Sequence, residues 1–198
     1  MLLSRALTAV VTVSLLALAA PASAGEPGLY IQRQIDRVIT ILEDRAQAPA
    51  ERRRAVRAIV DETFDFQEAA RRTLGRHWEA QTPEDRARFV RLFVDLIDRA
   101  YLRRADGWDG GRIAVVDDTV EGDGATVRST ITGADGGQLP VTYGLVRGAD
   151  GRWRVVDVSV AGSGLFASYR AQFSRLIQTG GFPHLLERLE AKVVSLQP

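Results

Sequence analysis

The apolar pattern of this chain changes from helical to strand period near residue 110 and returns to helical spacing only after residue 160, and that order points to an α+β fold. Ahead of the change, Ile31, Ile35, Val38, Ile39 and Leu42 recur at three- and four-residue spacing, one buried stripe of a helix. Pro49 suits the first turn of a second helix, whose inner face holds Val56, Ile59 and Val60. Phe64-Asp65-Phe66 interrupts the pattern. A short helix through Ala69, Ala70 and Leu74 follows, with Gly75 where a C-cap glycine would end it. Thr82-Pro83-Glu84-Asp85 supplies an N-cap, a first-position proline and first-turn acids. Phe89, Phe93, Leu96, Ile97, Ala100 and Tyr101 then form a long stripe.

After the change, Ile113–Val116, Thr126–Thr132, Leu139–Val146 and Trp153–Val160 read as strands rich in Val, Thr, Tyr and Trp. Gly122-Asp123-Gly124, Asp135-Gly136-Gly137 and Asp150-Gly151 supply the turns. Helices near Leu165–Gln178 and Leu185–Val194, separated by Gly180-Gly181 and Pro183, close the chain. The expectation is a helical part over residues 27–105, a four-stranded antiparallel sheet over 112–160 and closing helices over 164–195, with helices covering the sheet. Such a layout either encloses an apolar cavity or fills it with side chains; periodicity is compatible with both.

The first residues have a different character. Met1 to Arg5 carries one positive charge, Ala6 to Ala20 is apolar or small apart from Thr8, Thr12 and Ser14, and Pro21 precedes Ala22-Ser23-Ala24. This is the order of a secretory signal peptide. The apolar run falls short of the about 20 residues that cross a bilayer. Residues 1–24 are therefore expected to be removed after Ala24, leaving residues 25–198 as a single exported domain in the periplasm. No twin-arginine pair precedes the run, so the chain should cross unfolded and carry no cofactor. With 26 Lys+Arg against 25 Asp+Glu, and Lys192 the only lysine, there is no basic block to track a nucleic-acid backbone. The absence of cysteine excludes disulfides, thiolate nucleophiles and thiolate metal sites. The two histidines, His77 and His184, are far apart, and no metal site is expected.

Several short patterns invite a chemical reading. Gly162-Ser163-Gly164-Leu165-Phe166-Ala167 fits the dinucleotide pattern G-x-G-x-x-A, but no strand follows its helix to complete a βαβ unit. A tight strand-to-helix connection with Ser163 as cap explains it more simply. Ser163 between glycines also approaches a nucleophile elbow, except that Ala161 stands where the first glycine belongs. Asp157, in the strand Val155-Val156-Asp157-Val158, is a candidate general base; strict alternation instead puts it beside Ser159 on a polar face opposite Val156, Val158 and Val160. His77 beside Trp78 reads as packing. Phe66, Phe93, Tyr101, Tyr143, Trp153, Tyr169 and Phe173 suit either a core or the wall of a cavity.

Phe64-Asp65-Phe66, Leu74-Gly75 with Trp78, Thr82-Pro83-Glu84, and Phe89 with Phe93 and Tyr101 together resemble the signature of the MlaC family, the toluene-tolerance auxiliary proteins. Trp153-Arg154-Val155-Val156-Asp157-Val158, followed by Gly162, Leu165, Tyr169-Arg170 and Gln172-Phe173, is similar to a second family segment. Gly180-Gly181, Leu185-Leu186, Leu189 and Lys192 resemble its close. The resemblance departs at Ser163-Gly164, at Leu139-Pro140-Val141-Thr142-Tyr143 and in charge, since the family is commonly lysine-rich and basic and this chain without residues 1–24 is neutral. It implies a monomeric periplasmic carrier, not an enzyme. Such a carrier holds phospholipid acyl chains in an apolar slot and exchanges them with an inner-membrane ABC transporter complex and an outer-membrane lipoprotein complex. The expected lining is Phe93, Ile97 and Tyr101 from the long helix, Tyr143, Leu145, Trp153 and Val155 from the sheet, and Leu165, Tyr169, Phe173 and Ile177 from the later helix. Either alternate set of sheet residues is compatible with facing the slot. Arg170 is placed to reach a head-group phosphate or to form a structural ion pair. A small cone-fold isomerase or hydrolase and a ligand-free adaptor remain the alternatives.

Overall fold

The computed structural model describes residues 24–101, 108 and 110–196. The expected signal peptide, apart from Ala24, and the end of the expected helical part, residues 102–105, lie outside the described residues. Helices α1 (Glu26–Glu43), α2 (Pro49–Thr63), α3 (Phe66–Leu74) and α4 (Pro83–Tyr101) precede strands β1 (Arg112–Glu121), β2 (Gly124–Thr132), β3 (Gln138–Arg147), β4 (Trp153–Val160) and β5 (Ser163–Gly164), and α5 (Leu165–Ser195) ends the fold. The fold is thus α+β.

The helix starts follow the local signals. Pro49 opens α2, and the Thr82 hydroxyl accepts the Asp85 amide N–H at 3.1 Å ahead of α4. Asp65 does more than break a pattern. Its amide donates to the Val155 carbonyl at 2.9 Å, docking the α2–α3 junction on the edge of β4, while its carboxylate accepts the Glu68 amide at 2.9 Å as the N-cap of α3. Phe64 bridges Val155 and stacks on Phe66 with ring centroids 5.3 Å apart. The Phe-Asp-Phe segment is therefore a joint between the helices and the sheet. Within α5 the two closing helices meet at a kink at Gly181, whose backbone is non-helical and whose φ of 77° only glycine adopts without strain.

The sheet runs β1-β2-β3-β4-β5, each strand antiparallel to the next. It has five strands, not four. Ala161 and Gly162 both have positive φ, 49° and 78°, and turn the chain back so that Ser163 pairs with Val160 and Gly164 with Ser159. This is the backbone pattern of a two-residue hairpin turn whose handedness matches strand twist. Ser163 consequently belongs to β5, and no side chain caps α5.

A bulge corrects the expected parity of β4. Gly144 pairs with Asp157 but Leu145 pairs with Val155, so Val156 is the extra residue. Beyond the bulge the side-chain phase inverts. Trp153 and Val155 thereby share a sheet face with Val158 and Val160, together with Tyr143, Val141 and Leu145 of β3 and Val127, Ala125 and Ile131 of β2. Val155 and Val156, adjacent at the bulge, are both buried.

Two cores form. One joins α3, α4 and α5 around Leu74, Phe89, Phe93, Phe173, Leu185 and Leu189. The other packs Ile31 of α1 on Ala125, Val127, Leu145, Trp153 and Val155 at one end of the sheet face.

The candidate ligand cleft

A cleft of about 1020 Å³ opens where these two cores do not meet. Its sheet wall is the uncovered end of the same face that α1 packs on: Ile131, Val141, Tyr143, Val158 and Val160. Its helical wall is Val60, Phe64 and Phe66 from α2 and the joint, Leu96, Ile97 and Tyr101 from α4, and one broad side of α5 from Leu165 to Lys192. The aromatic ring system of the helical core stiffens that wall. Phe93 packs edge-on to Tyr169 and Phe173, with centroids 6.1 and 6.2 Å away, and Tyr169 stacks on Phe173 at 5.5 Å.

Six of the expected lining residues border this cleft: Ile97, Tyr101, Tyr143, Leu165, Tyr169 and Phe173. Phe93 stands one layer behind, fully buried against the lining rings. Leu145, Trp153 and Val155 lie on the lining face of the sheet but at the end that α1 covers. Ile177 packs on the helical core, and its neighbour Leu176 takes the lining position, about 100° away around the helix. Arg170 is exposed and outside the lining. Sequence reasoning missed Val60, Phe64, Leu96, Ile131, Val141, Val158 and Val160, and Phe166, Leu176 and Leu189 of α5. The apolar character of these positions was evident, but their convergence depends on the bulge and on the docking of Phe64.

The chemistry of the wall is uneven. The sheet and α2–α4 contribute apolar side chains and the phenols of Tyr101 and Tyr143. Burial, opposed by the adjacent Ser129 hydroxyl, pushes the Tyr143 phenol above its usual range. Burial and the neighbouring Tyr101 hydroxyl likewise push the Tyr169 phenol up. All polar lining other than the phenols comes from β5 and α5: Ser163, Ser168, Gln172, Arg175, Thr179, Arg188 and Lys192. Among the described lining residues there is no histidine and no carboxylate. Ser163 thus borders the cleft without a base beside it. Asp157 lies outside the lining, and its Oδ1 accepts the Val158 amide at 2.8 Å. Among the described residues no group of three metal-ligating side chains occurs.

The family model for the MlaC protein matches residues 32–191. The chain belongs to the MlaC family. No curated protein matches it. A phospholipid-binding protein from Ralstonia solanacearum, solved in complex with a phospholipid, is similar in structure. It is 24% identical, has a TM-score of 0.76, and the match covers 85% of this chain and 97% of that one. The two share a fold, and this MlaC-family chain places its cleft between the sheet and the helices of that fold.

Proposed function

We propose that this chain is a periplasmic carrier that holds the acyl chains of a phospholipid in the cleft and shuttles it between membrane-bound complexes. The observation that carries the reading is the cleft itself. Its volume of about 1020 Å³ is at the upper end of ordinary ligand pockets, and its walls combine apolar surface with no acid or histidine among the described lining residues. Such a site buries hydrocarbon and offers no base or nucleophile pair to act on it. Membership of the MlaC family and the phospholipid held by the structurally similar Ralstonia protein support the same reading. Each methylene moved out of water is worth about 0.8 kcal/mol, so a chain of fourteen would gain on the order of 11 kcal/mol on entering the slot. Acyl chains therefore need a dry container to cross an aqueous compartment.

In this reading residues 1–24 direct export and are removed, and residues 25–198 act as one monomeric domain. Loading and unloading occur at an inner-membrane ABC transporter complex and an outer-membrane lipoprotein complex. Leu165, Tyr169, Ile97, Tyr101 and Tyr143 contact the chains directly, and Phe93 and Phe173 hold the wall in shape. The test is native purification of residues 25–198 from a bacterial periplasm, solvent extraction and lipid mass spectrometry. Near-stoichiometric phospholipid is expected, with most of it lost in Leu165→Glu at unchanged circular dichroism. A lipid-free extract from a folded protein would overturn the carrier reading.

A further inference from the structure

The polar part of the cleft wall has a single sign. Arg175, Arg188 and Lys192 border it, and no carboxylate does so among the described residues. None of the three has an ion-pair or hydrogen-bond partner for its side chain among the described residues, whereas Arg57 meets Asp61 and Asp98, Arg71 and Arg72 share Glu68, and Arg152 and Arg154 share Asp150. Arg33, Arg76, Arg91, Arg112 and Arg170 also lack such a partner there, but they stand outside the cleft lining; what sets the three apart is their place at the cleft. The acids nearest in sequence to Arg188 and Lys192 are engaged elsewhere. Glu187 lies 4.0 Å from His184, and Glu190 accepts Arg88 at 2.7 Å. Arg188 and Lys192 are one helical turn apart on α5, where two like charges repel. Ile131, Val141, Val158 and Val160 line the same cleft, so the cations border an apolar slot. The arrangement is an unneutralised cationic set beside an apolar slot.

We propose that Arg175, Arg188 and Lys192 form an anion seat in this cleft, and that it makes the chain favour phospholipids of net negative charge over zwitterionic ones. The inference rests on the carrier reading above and adds the head-group class. A phosphodiester brings a negative charge to the seat and no cation of its own. A zwitterionic head group brings an ammonium as well, which meets three cations and no carboxylate to receive it. Discrimination thus comes from repulsion as much as from attraction. The shared chemistry is the phosphate anion, which a soluble phosphate also offers; attachment to the apolar slot distinguishes the lipid.

The experiment loads delipidated residues 25–198 from vesicles containing equal amounts of phosphatidylglycerol and phosphatidylethanolamine and reads the bound lipids by mass spectrometry. The wild type should hold phosphatidylglycerol in about fivefold excess at low salt, with the excess shrinking as salt rises. In the triple variant Arg175→Gln, Arg188→Gln, Lys192→Gln the ratio of the two bound lipids should return to that of the vesicle. Lys192→Arg should keep the excess, because it keeps the charge. All three positions are exposed, so the glutamine variants fold. A wild type that takes up both lipids in the vesicle ratio, or a triple variant that keeps the excess, would overturn the seat while leaving the carrier reading intact. A protein that holds neither lipid overturns both. Saturable binding of inorganic phosphate alone, in a protein with no lipid preference, would assign the cations to a soluble anion and overturn the lipid selection.

Discussion

Asp118 ties the start of α1 to the sheet. Its Oδ1 accepts the Gly25 amide at 2.7 Å and its Oδ2 the Gly28 amide at 2.9 Å. The first amides of a helix have no partner within it, and a carboxylate there also meets the favourable end of the helix dipole. Glycine eases this approach: a Cβ on Gly25 would sit 2.9 Å from Asp118 Oδ2, and one on Gly28 would sit 3.3 Å from the same atom. If export removes residues 1–24 as proposed, the Gly25 donor becomes an ammonium and the contact becomes an ion pair between the new N-terminus and β1. Hydrogen bonds to a charged group are worth about 1.5–3 kcal/mol. Asp118→Ala should therefore destabilise residues 25–198 by about 1–3 kcal/mol in a urea titration, and by less in a chain carrying extra residues before Gly25. Equal losses in the two chains would show that the free terminus has no part in the contact.

At the scale of elements, the β4–β5 hairpin is the piece that closes the rim of the cleft, since Val160, Ser163 and Gly164 all border it. Its turn places Ala161 at φ 49°, a conformation that costs an alanine about 1 kcal/mol more than a glycine. Ala161→Gly should raise stability by about 0.5–1 kcal/mol in thermal or urea unfolding, and a loss of stability instead would mean the turn adopts another form. The same turn explains a limit of the sequence. Pro49, Thr82-Pro83 and Gly75 announce helix ends because the capping atoms are local, and the helices appear where those signals put them. Ala161-Gly162 lacks the Asn-Gly or Asp-Gly signature of a two-residue hairpin, so the fifth strand was not legible. The bulge at Val156 was hidden for a different reason. It is set by the pairing of Leu145 with Val155 across β3 and β4, a long-range register that alternation within one strand cannot report. That inversion puts Val158 and Val160 on the same face as Trp153 and Val155, which is why these two lining residues of β4 were not found from the sequence.

On the scale of the whole molecule, the cleft exists because the chain builds two cores instead of one. Helices α3, α4 and α5 satisfy their apolar faces mainly against each other, and α1 covers only the Trp153–Val155 end of the sheet face. The other end keeps Ile131, Val141, Val158 and Val160 facing Leu96, Ile97 and Leu165 across open space. Side chains of this kind gain stability when water leaves them, so a ligand that fills the space completes the interior instead of adding to a surface. Binding and folding are then linked: an occupant held at a concentration about 100 times its dissociation constant adds about 2.7 kcal/mol. For a chain of this size each kcal/mol moves the melting temperature by about 2–4 °C, so lipid-loaded residues 25–198 should melt about 5–11 °C above the delipidated protein in scanning calorimetry. Leu165→Glu, which places a charge in the slot, should melt at one temperature whether or not lipid is offered. Identical melting of loaded and delipidated wild type would mean that the two cores are complete without an occupant, and that the space between them is not where the ligand sits.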